Sequence, residues 1–232
     1  MIKDPITLER LAAEHWCRPG ENMLWRVGPR TGHLAFDLAG RRGAPHDPAD
    51  RFRRVSSVEP DWPRPTEVLA AGAFHGDEWV HDPSIWAHVH AADVNALAAR
   101  CADALVAGGA ESWFVQTNQR LAVLIDAAPE STPETSSGEP ESGGWLGRAK
   151  SVAKSAQSLV EQARATDTLT TLWETHVSTI HHFDSCALGR TLEGVPFGGV
   201  SFTDGSRLLV RVDNQVAADS IVEMGSAIFS AR

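Results

Sequence analysis

Several residue types and motifs that mark particular protein classes are scarce or missing in this chain. Its 232 residues include no tyrosine and three cysteines, Cys17, Cys101 and Cys186. These cysteines lie far apart and form no CxxC pair, which argues against a disulfide framework and against a thiolate zinc site. We interpret them as small, buried hydrophobic side chains in a reducing compartment.

Long apolar runs are missing as well. No segment approaches the roughly 20 apolar residues needed to span a bilayer. Residues 1–10 carry charges where a signal peptide has its apolar stretch. We therefore expect a cytoplasmic protein.

The sequence also lacks the usual motifs of nucleotide binding and catalysis. It contains no Walker A motif, no GxSxG elbow and no HExxH pair. The glycine-rich stretch 194–199 is interpreted as a turn between strands. His181 and His182 fall on a predicted strand, so one ring should face the core and the other the solvent. We expect no enzymatic activity and no cofactor.

Charge gives a weak indication about partners. The formal net charge of −9 disfavours nucleic acid, because phosphate binding needs a basic face. Residues 26–54 are nevertheless rich in arginine, and Arg51, Arg53 and Arg54 are candidate contacts for an anionic partner.

One segment differs in composition from the rest of the chain. Residues 128–144 contain no large apolar side chain and only glutamates as charged residues, which predicts a disordered tether. Residues 145–164 follow with an amphipathic helical pattern that begins at Trp145 and carries Arg148, Lys150 and Lys154 on its polar faces. Such a helix could bind a partner protein or an anionic membrane surface, where the chain would be peripheral.

The remaining sequence predicts mainly strands. Helices are expected at 5–16, at 93–107 with Asp93 as its cap, and from Val216 to Phe229 after a cap at Asp213 or Asn214. Between 18 and 54 we expect little regular structure apart from a strand at 33–38. Asp204-Gly205 predicts a hairpin turn. The other strands are predicted at 67–73, 85–90, 112–117, 120–126, 169–175, 177–183, 199–202 and 207–212.

Three of these segments, in this order, resemble bacterial pleckstrin-homology-like (PH-like) domains. Pro63-Arg-Pro-Thr-Glu-Val-Leu69 is similar to the start of that family, and Thr117-Asn-Gln-Arg-Leu121 is similar to its Thr-Asp-Arg-Arg-Leu signature. The segment 202–212 and the helix after it are similar to its last hairpin and closing helix. The resemblance covers about residues 63–127 and 166–232.

The resemblance implies an α+β fold, a PH-like antiparallel β-sandwich or barrel closed by a C-terminal helix. Residues 1–60 would form an irregular N-terminal extension. The PH-like domain would comprise 61–127 and 166–232, with 128–165 as the inserted tether and helix. We expect Leu121 and Leu124 to share a core with Leu209 and Ile221.

The same resemblance does not extend to a phosphoinositide pocket. Family members that bind phosphoinositides use basic residues near the first loop, whereas residues 75–111 here contain mainly acidic ones: Asp77, Glu78, Asp82, Asp93, Asp103 and Glu111 against Arg100.

We therefore predict a non-catalytic interaction module that binds a protein or peptide at a sheet edge or beside the closing helix. The alternative hypothesis is a metal-dependent enzyme. Its candidate ligands are the histidines near 75–90, which are interleaved with carboxylates: His75, His81, His88 and His90. The sequence specifies neither the partner nor the oligomeric state.

Overall fold

The computed structural model describes residues 4–28, 30–48, 62–126 and 169–230. The chain forms two compact units, one drawn from residues 1–16 and 126–170 and the other from 17–125 and 171–232. In the first unit, helix α1 (Pro5–Leu11) is followed by a π-helical stretch, Ala12–Trp16. The Asp4 carboxylate caps α1 by accepting the Thr7 N–H at 2.9 Å. This confirms the helix predicted at 5–16.

The second unit contains the sheets and the remaining helices. Its helices are α2 (Glu67–Ala70), α3 (Leu97–Gly108) and α4 (Gln215–Ser230). Its strands are β1 (Met23–Val27), β2 (His33–Leu38), β3 (Arg41–Gly43), β4 (Ile85–Ala91), β5 (Ser112–Thr117), β6 (Arg120–Asp126), β7 (Leu169–His176), β8 (Ile180–Leu188), β9 (Val195–Phe202) and β10 (Arg207–Arg211), of which β7 begins in the first unit.

The strands form two sheets. One has four strands in the order β1-β5-β6-β7, and the other has six in the order β3-β2-β4-β10-β9-β8. The β2–β4 pair is parallel, while β8–β9, β9–β10 and β10–β4 are antiparallel. Strands β6 and β7, which precede and follow residues 127–168, are neighbours in the smaller sheet.

Two hydrophobic clusters lie on opposite faces of the six-stranded sheet. The larger one joins side chains from both sheets and from α3 and α4, and it contains both Leu121 and Ile221. Leu209 instead belongs to the second cluster, with Trp79 and Phe197, because its strand neighbours Leu208 and Val210 already face the larger core. Leu124 is buried but joins neither cluster of described residues. The expectation of one core for these four leucine and isoleucine side chains was therefore only partly right.

Helix α4 has the sequence features expected for its position. The Asn214 side chain accepts the Ala217 N–H at 2.9 Å, so of the two predicted caps, Asp213 and Asn214, it is Asn214 that caps the helix. Ala218, Ile221 and Ile228 form its buried stripe, and α4 packs mainly on β8 and β9 and also meets β1. The helix therefore covers the inner face of the six-stranded sheet at the β8 side.

Two predictions about local structure were wrong in the first half of the chain. Residues 67–70 are helical instead of a strand, because Leu69 is their single buried side chain and the alanines that follow favour a helical turn. Residues 18–54 contain three strands, of which only β2 was predicted. In β1 the arginine-rich context hides the alternation of buried Trp25 and Val27 with half-buried neighbours.

Two further predictions were wrong in the second half. The stretch 194–199 continues into β9 from Val195 instead of forming a turn throughout. His181 and His182 are both exposed, because a bulge between Ile180 and His182 shifts the alternation by one residue.

The architecture is thus a mixed α+β fold with two sheets and a C-terminal helix. No helix in the described ranges has the length and apolar character required to cross a membrane. The predicted tether at 128–144 and the helix at 145–164 lie outside the described residues.

Candidate functional site

The structure distributes the four candidate metal ligands over three parts of the chain. His75 precedes a 3₁₀ turn, where its N–H donates to Glu78 Oε2 at 2.9 Å. His81 lies at the end of that turn, and its Nε2 accepts the Arg190 N–H at 3.2 Å. Only His88 and His90 share a strand, β4. In the described part of the chain, no three His, Cys, Asp or Glu side chains are arranged to hold a metal ion.

His88 lies against an aromatic ring on the outer face of the six-stranded sheet. Its imidazole stacks on the Trp79 indole with centroids 4.5 Å apart and planes 17° from parallel. Burial lowers the pKa of His88 to about 4, and His90 and Arg207 act in the same direction against the opposing charge of Asp37. His88 is therefore neutral at physiological pH.

Around His88 the same sheet face carries charged side chains that pair with each other. The Arg207 guanidinium pairs with the Asp184 carboxylate. His90 Nδ1 lies 3.6 Å from Asp37 Oδ2. We call this surface the polar face, and its members are Asp37, His88, His90, His182, Asp184 and Arg207.

The polar face lacks an activated nucleophile. Cys186 lies beside Arg207 and Asp184, but burial raises the pKa of its thiol more than Arg207 lowers it. The thiol therefore stays protonated near neutral pH, and the arrangement does not favour covalent catalysis.

The Thr117–Arg120 motif forms a buried polar anchor. Arg120 Nε donates to Glu21 Oε1 at 2.8 Å, and Thr117 Oγ1 donates to the same oxygen at 2.6 Å. Arg120 also pairs with Glu174, which Arg18 contacts at 3.1 Å. Because Glu21, Thr117 and Arg120 are all buried, these residues hold the β5–β6 turn in place and offer little surface to a ligand.

Sequence reasoning missed a second buried pair. His46 Nε2 lies 2.7 Å from Asp103 Oδ1, and both side chains are almost fully buried. The sequence analysis counted Asp103 only among the acidic residues of the stretch 75–111, whereas the structure places it on the buried side of α3. The helix predicted at 93–107 is confirmed as α3, but it begins at Leu97, and Asp93 is not its cap. Its first N–H groups are accepted by Asp204 and Ser206 of the β9–β10 turn.

The six-stranded sheet ends at an edge strand, β8, beside which α4 packs. Among the described residues β8 is one of the two edge strands of this sheet, the other being the three-residue β3. Strand β8 is nine residues long, and its other edge pairs with β9. Beside it, α4 presents one face towards β8: Asp219 Oδ1 accepts the Ser185 hydroxyl at 2.6 Å, and the Phe229 ring lies 6.4 Å from that of Phe183. We call this surface the β8 groove.

Helical spacing completes the lining of the β8 groove. Val222 and Ser226 lie three and seven residues after Asp219, so they share its face of the helix. Val222, Ser226 and Phe229 are all partly exposed. The groove therefore combines strand-edge backbone groups, which have no strand partner in the described part of the chain, with apolar side chains that are only half covered.

The binding residues predicted from the sequence form two groups, one in the arginine-rich segment and one in the predicted insertion helix. Arg51, Arg53, Arg54, Trp145, Arg148, Lys150 and Lys154 lie outside the described residues.

Comparison with protein-family models, with curated proteins and with solved structures gave no match.

Proposed function

We propose that this chain is a non-catalytic interaction module that binds an extended peptide segment of another protein in the β8 groove. The outer edge of β8, which pairs with no other described strand, and the half-exposed face of α4 beside it are the observation that carries this proposal. An added strand would form main-chain hydrogen bonds to β8, while its alternate side chains would contact α4.

The fold proposal is a PH-like domain. Two features support it: the meander β8-β9-β10 is followed directly by a closing helix, and the Thr117–Arg120 hairpin connects β5 to β6. Strands β1 to β3 and the parallel β2–β4 pair are additions to the arrangement expected from the resemblance.

The remaining polar surfaces are less suited to recognition. On the polar face each carboxylate already has a cationic or imidazole neighbour, so a ligand would have to displace an internal pair. An edge strand has no such cost, because its outward backbone groups lack strand partners within the described sheet.

The test starts from a random heptapeptide library selected on the intact chain, with the affinity of enriched peptides measured by fluorescence anisotropy. Ser226→Trp should fill the groove and weaken binding about tenfold or more, a loss of about 1.4 kcal/mol. Ala227→Trp, one residue along on the exposed side of α4, is the matched control and should bind within about twofold of the original chain.

Amide shifts in ¹H–¹⁵N spectra locate the bound peptide independently. We expect the largest changes at 180–188 and along α4. The proposal fails when no peptide is enriched, when Ser226→Trp binds as well as Ala227→Trp, or when the shifts cluster on the polar face instead.

A further inference from the structure

The charge distribution along the β8 groove is one-sided. Neither β8 nor α4 contains a lysine or arginine, and α4 carries two exposed carboxylates, Asp219 and Glu223. They are four residues apart, so they project from the same side of the helix, about 6 Å apart along its axis. The third carboxylate, Asp184 on β8, is already paired with Arg207.

Asp219 is held in a defined position. Its Oδ1 accepts the Ser185 hydroxyl at 2.6 Å and the Gln215 amide at 2.8 Å. These two hydrogen bonds, which outweigh the effect of burial, lower the pKa of its carboxyl group. Asp219 thus presents a negative charge at the wall of the groove, directly beside the middle of β8.

The apolar part of the groove lies two residues along β8 from the part beside Asp219. On β8, Ser185 donates a hydrogen bond to Asp219, and Phe183, two residues earlier, packs beside Phe229. Side chains two residues apart on a strand point to the same side and are about 6.6 Å apart. An added strand would therefore place one side chain near Asp219 and the next one on the same side near Phe229 and Val222.

We infer that the β8 groove selects extended peptides in which a lysine or arginine and a large apolar residue are two positions apart. This inference rests on the proposed function. The cationic side chain would pair with Asp219 and Glu223, and the apolar one would cover Val222 and Phe229. Charge complementarity favours a basic partner over an acidic one, because β8 and α4 carry no lysine or arginine that could receive a carboxylate.

The selected heptapeptides test this directly. We expect enrichment of the cation-x-apolar pattern, in either direction. The double substitution Asp219→Asn and Glu223→Gln keeps the side-chain shapes and should weaken binding about tenfold, whereas Glu67→Gln on exposed α2 should leave it within about twofold. Raising NaCl from about 0.05 M to about 0.5 M should weaken the original chain and have little effect on the double variant.

The two proposals fail in different ways. Peptides that Ser226→Trp excludes but that lack the pattern, or that bind the double variant with unchanged affinity, overturn the charge inference and leave the groove as the binding site. Binding that ignores Ser226→Trp, or a selection with no enriched peptide, overturns the groove itself.

Discussion

Arg120 is the best example of a single side chain on which local structure depends. It is buried with Glu21, and its guanidinium also reaches Glu174. Removing one partner of a buried ion pair leaves the other charged without compensation, which typically costs about 3–5 kcal/mol. We expect Arg120→Met to lower the free energy of unfolding by about 3 kcal/mol, measured by urea denaturation.

Two further variants test whether the loss of the ion pair causes the destabilisation of Arg120→Met. The double substitution Glu21→Gln with Arg120→Met removes both charges and should be more stable than the sum of the single changes predicts. Arg190→Met affects an exposed arginine near Glu78 and should change stability by less than about 0.5 kcal/mol. Equal losses in Arg120→Met and Arg190→Met would show that Arg120 contributes little.

The helix α3 shows at the next scale why an element boundary can be missed. Local sequence favoured Asp93 as its cap, yet Asp93 accepts the Asn95 N–H, and α3 begins at Leu97. The cap comes from 107 residues further along the chain: Asp204 Oδ2 accepts the Leu97 N–H at 2.7 Å, and Ser206 Oγ accepts that of Ala98 at 3.0 Å. Capping residues so far along the chain leave no pattern in the local sequence from which the start of α3 could be predicted.

This cap can be tested by comparing the two aspartates. Asp204→Ala removes a capping acceptor and should lower the free energy of unfolding by about 1 kcal/mol or somewhat more. Asp93→Ala should cost a few tenths at most, because its carboxylate caps no helix. Thermal unfolding followed by circular dichroism measures both, and a larger loss for Asp93→Ala would contradict the assignment.

Strand β9 contains two consecutive glycines with different neighbours. A Cβ on Gly198 would lie 2.8 Å from Ile221 Cδ1 of α4, and one on Gly199 would collide with the Asp184 carboxylate on the opposite face. Local sequence suggested a turn because glycines are common there. Here they allow close packing on both sides of one strand.

Gly198→Ala should therefore destabilise by overpacking, by about 1–3 kcal/mol in urea denaturation. Adding Ile221→Val removes the methyl group that collides and should recover part of the loss, although Ile221→Val alone costs about 1 kcal/mol. Fully additive losses in the double variant would mean that α4 does not limit the space at Gly198.

For the molecule as a whole, alternation and period were sufficient to predict most elements of the two sheets and the closing helix. β4 and α4 follow from alternation and from the helical period, whereas β5 and β6, which are buried along their length, follow from continuous apolar runs. The sheet order and the parallel β2–β4 pair could not be predicted, since both depend on contacts between distant segments. For the binding site, the sequence predicted a sheet edge or the groove beside the closing helix as alternatives and did not specify which strand forms the edge. The carboxylates of the β8 groove and its half-exposed Val222 and Phe229 required the packing of α4.

The pH dependence of global stability should report on His88. In the unfolded chain this residue takes up a proton below its ordinary pKa of 6.5, whereas in the folded state burial lowers the pKa to about 4. Between these values the unfolded state binds more protons, so the free energy of unfolding should fall as the pH is lowered, with a slope approaching about 1.4 kcal/mol per pH unit.

The titration of buried carboxylates changes the free energy of unfolding at lower pH than His88 does. Burial alone would raise the pKa of Glu21, but its hydrogen bonds from Arg120, the Arg18 N–H and Thr117 lower it. Its contribution to stability is present above the ordinary pKa of glutamate, about 4.3, and is lost as the pH falls further.

The decline in the free energy of unfolding between pH 6.5 and 4 should therefore disappear in His88→Phe, which keeps a ring against Trp79 but cannot titrate. The same decline should persist in His90→Gln. Urea denaturation at several pH values measures these slopes, and an unchanged slope in His88→Phe would show that another group takes up the proton.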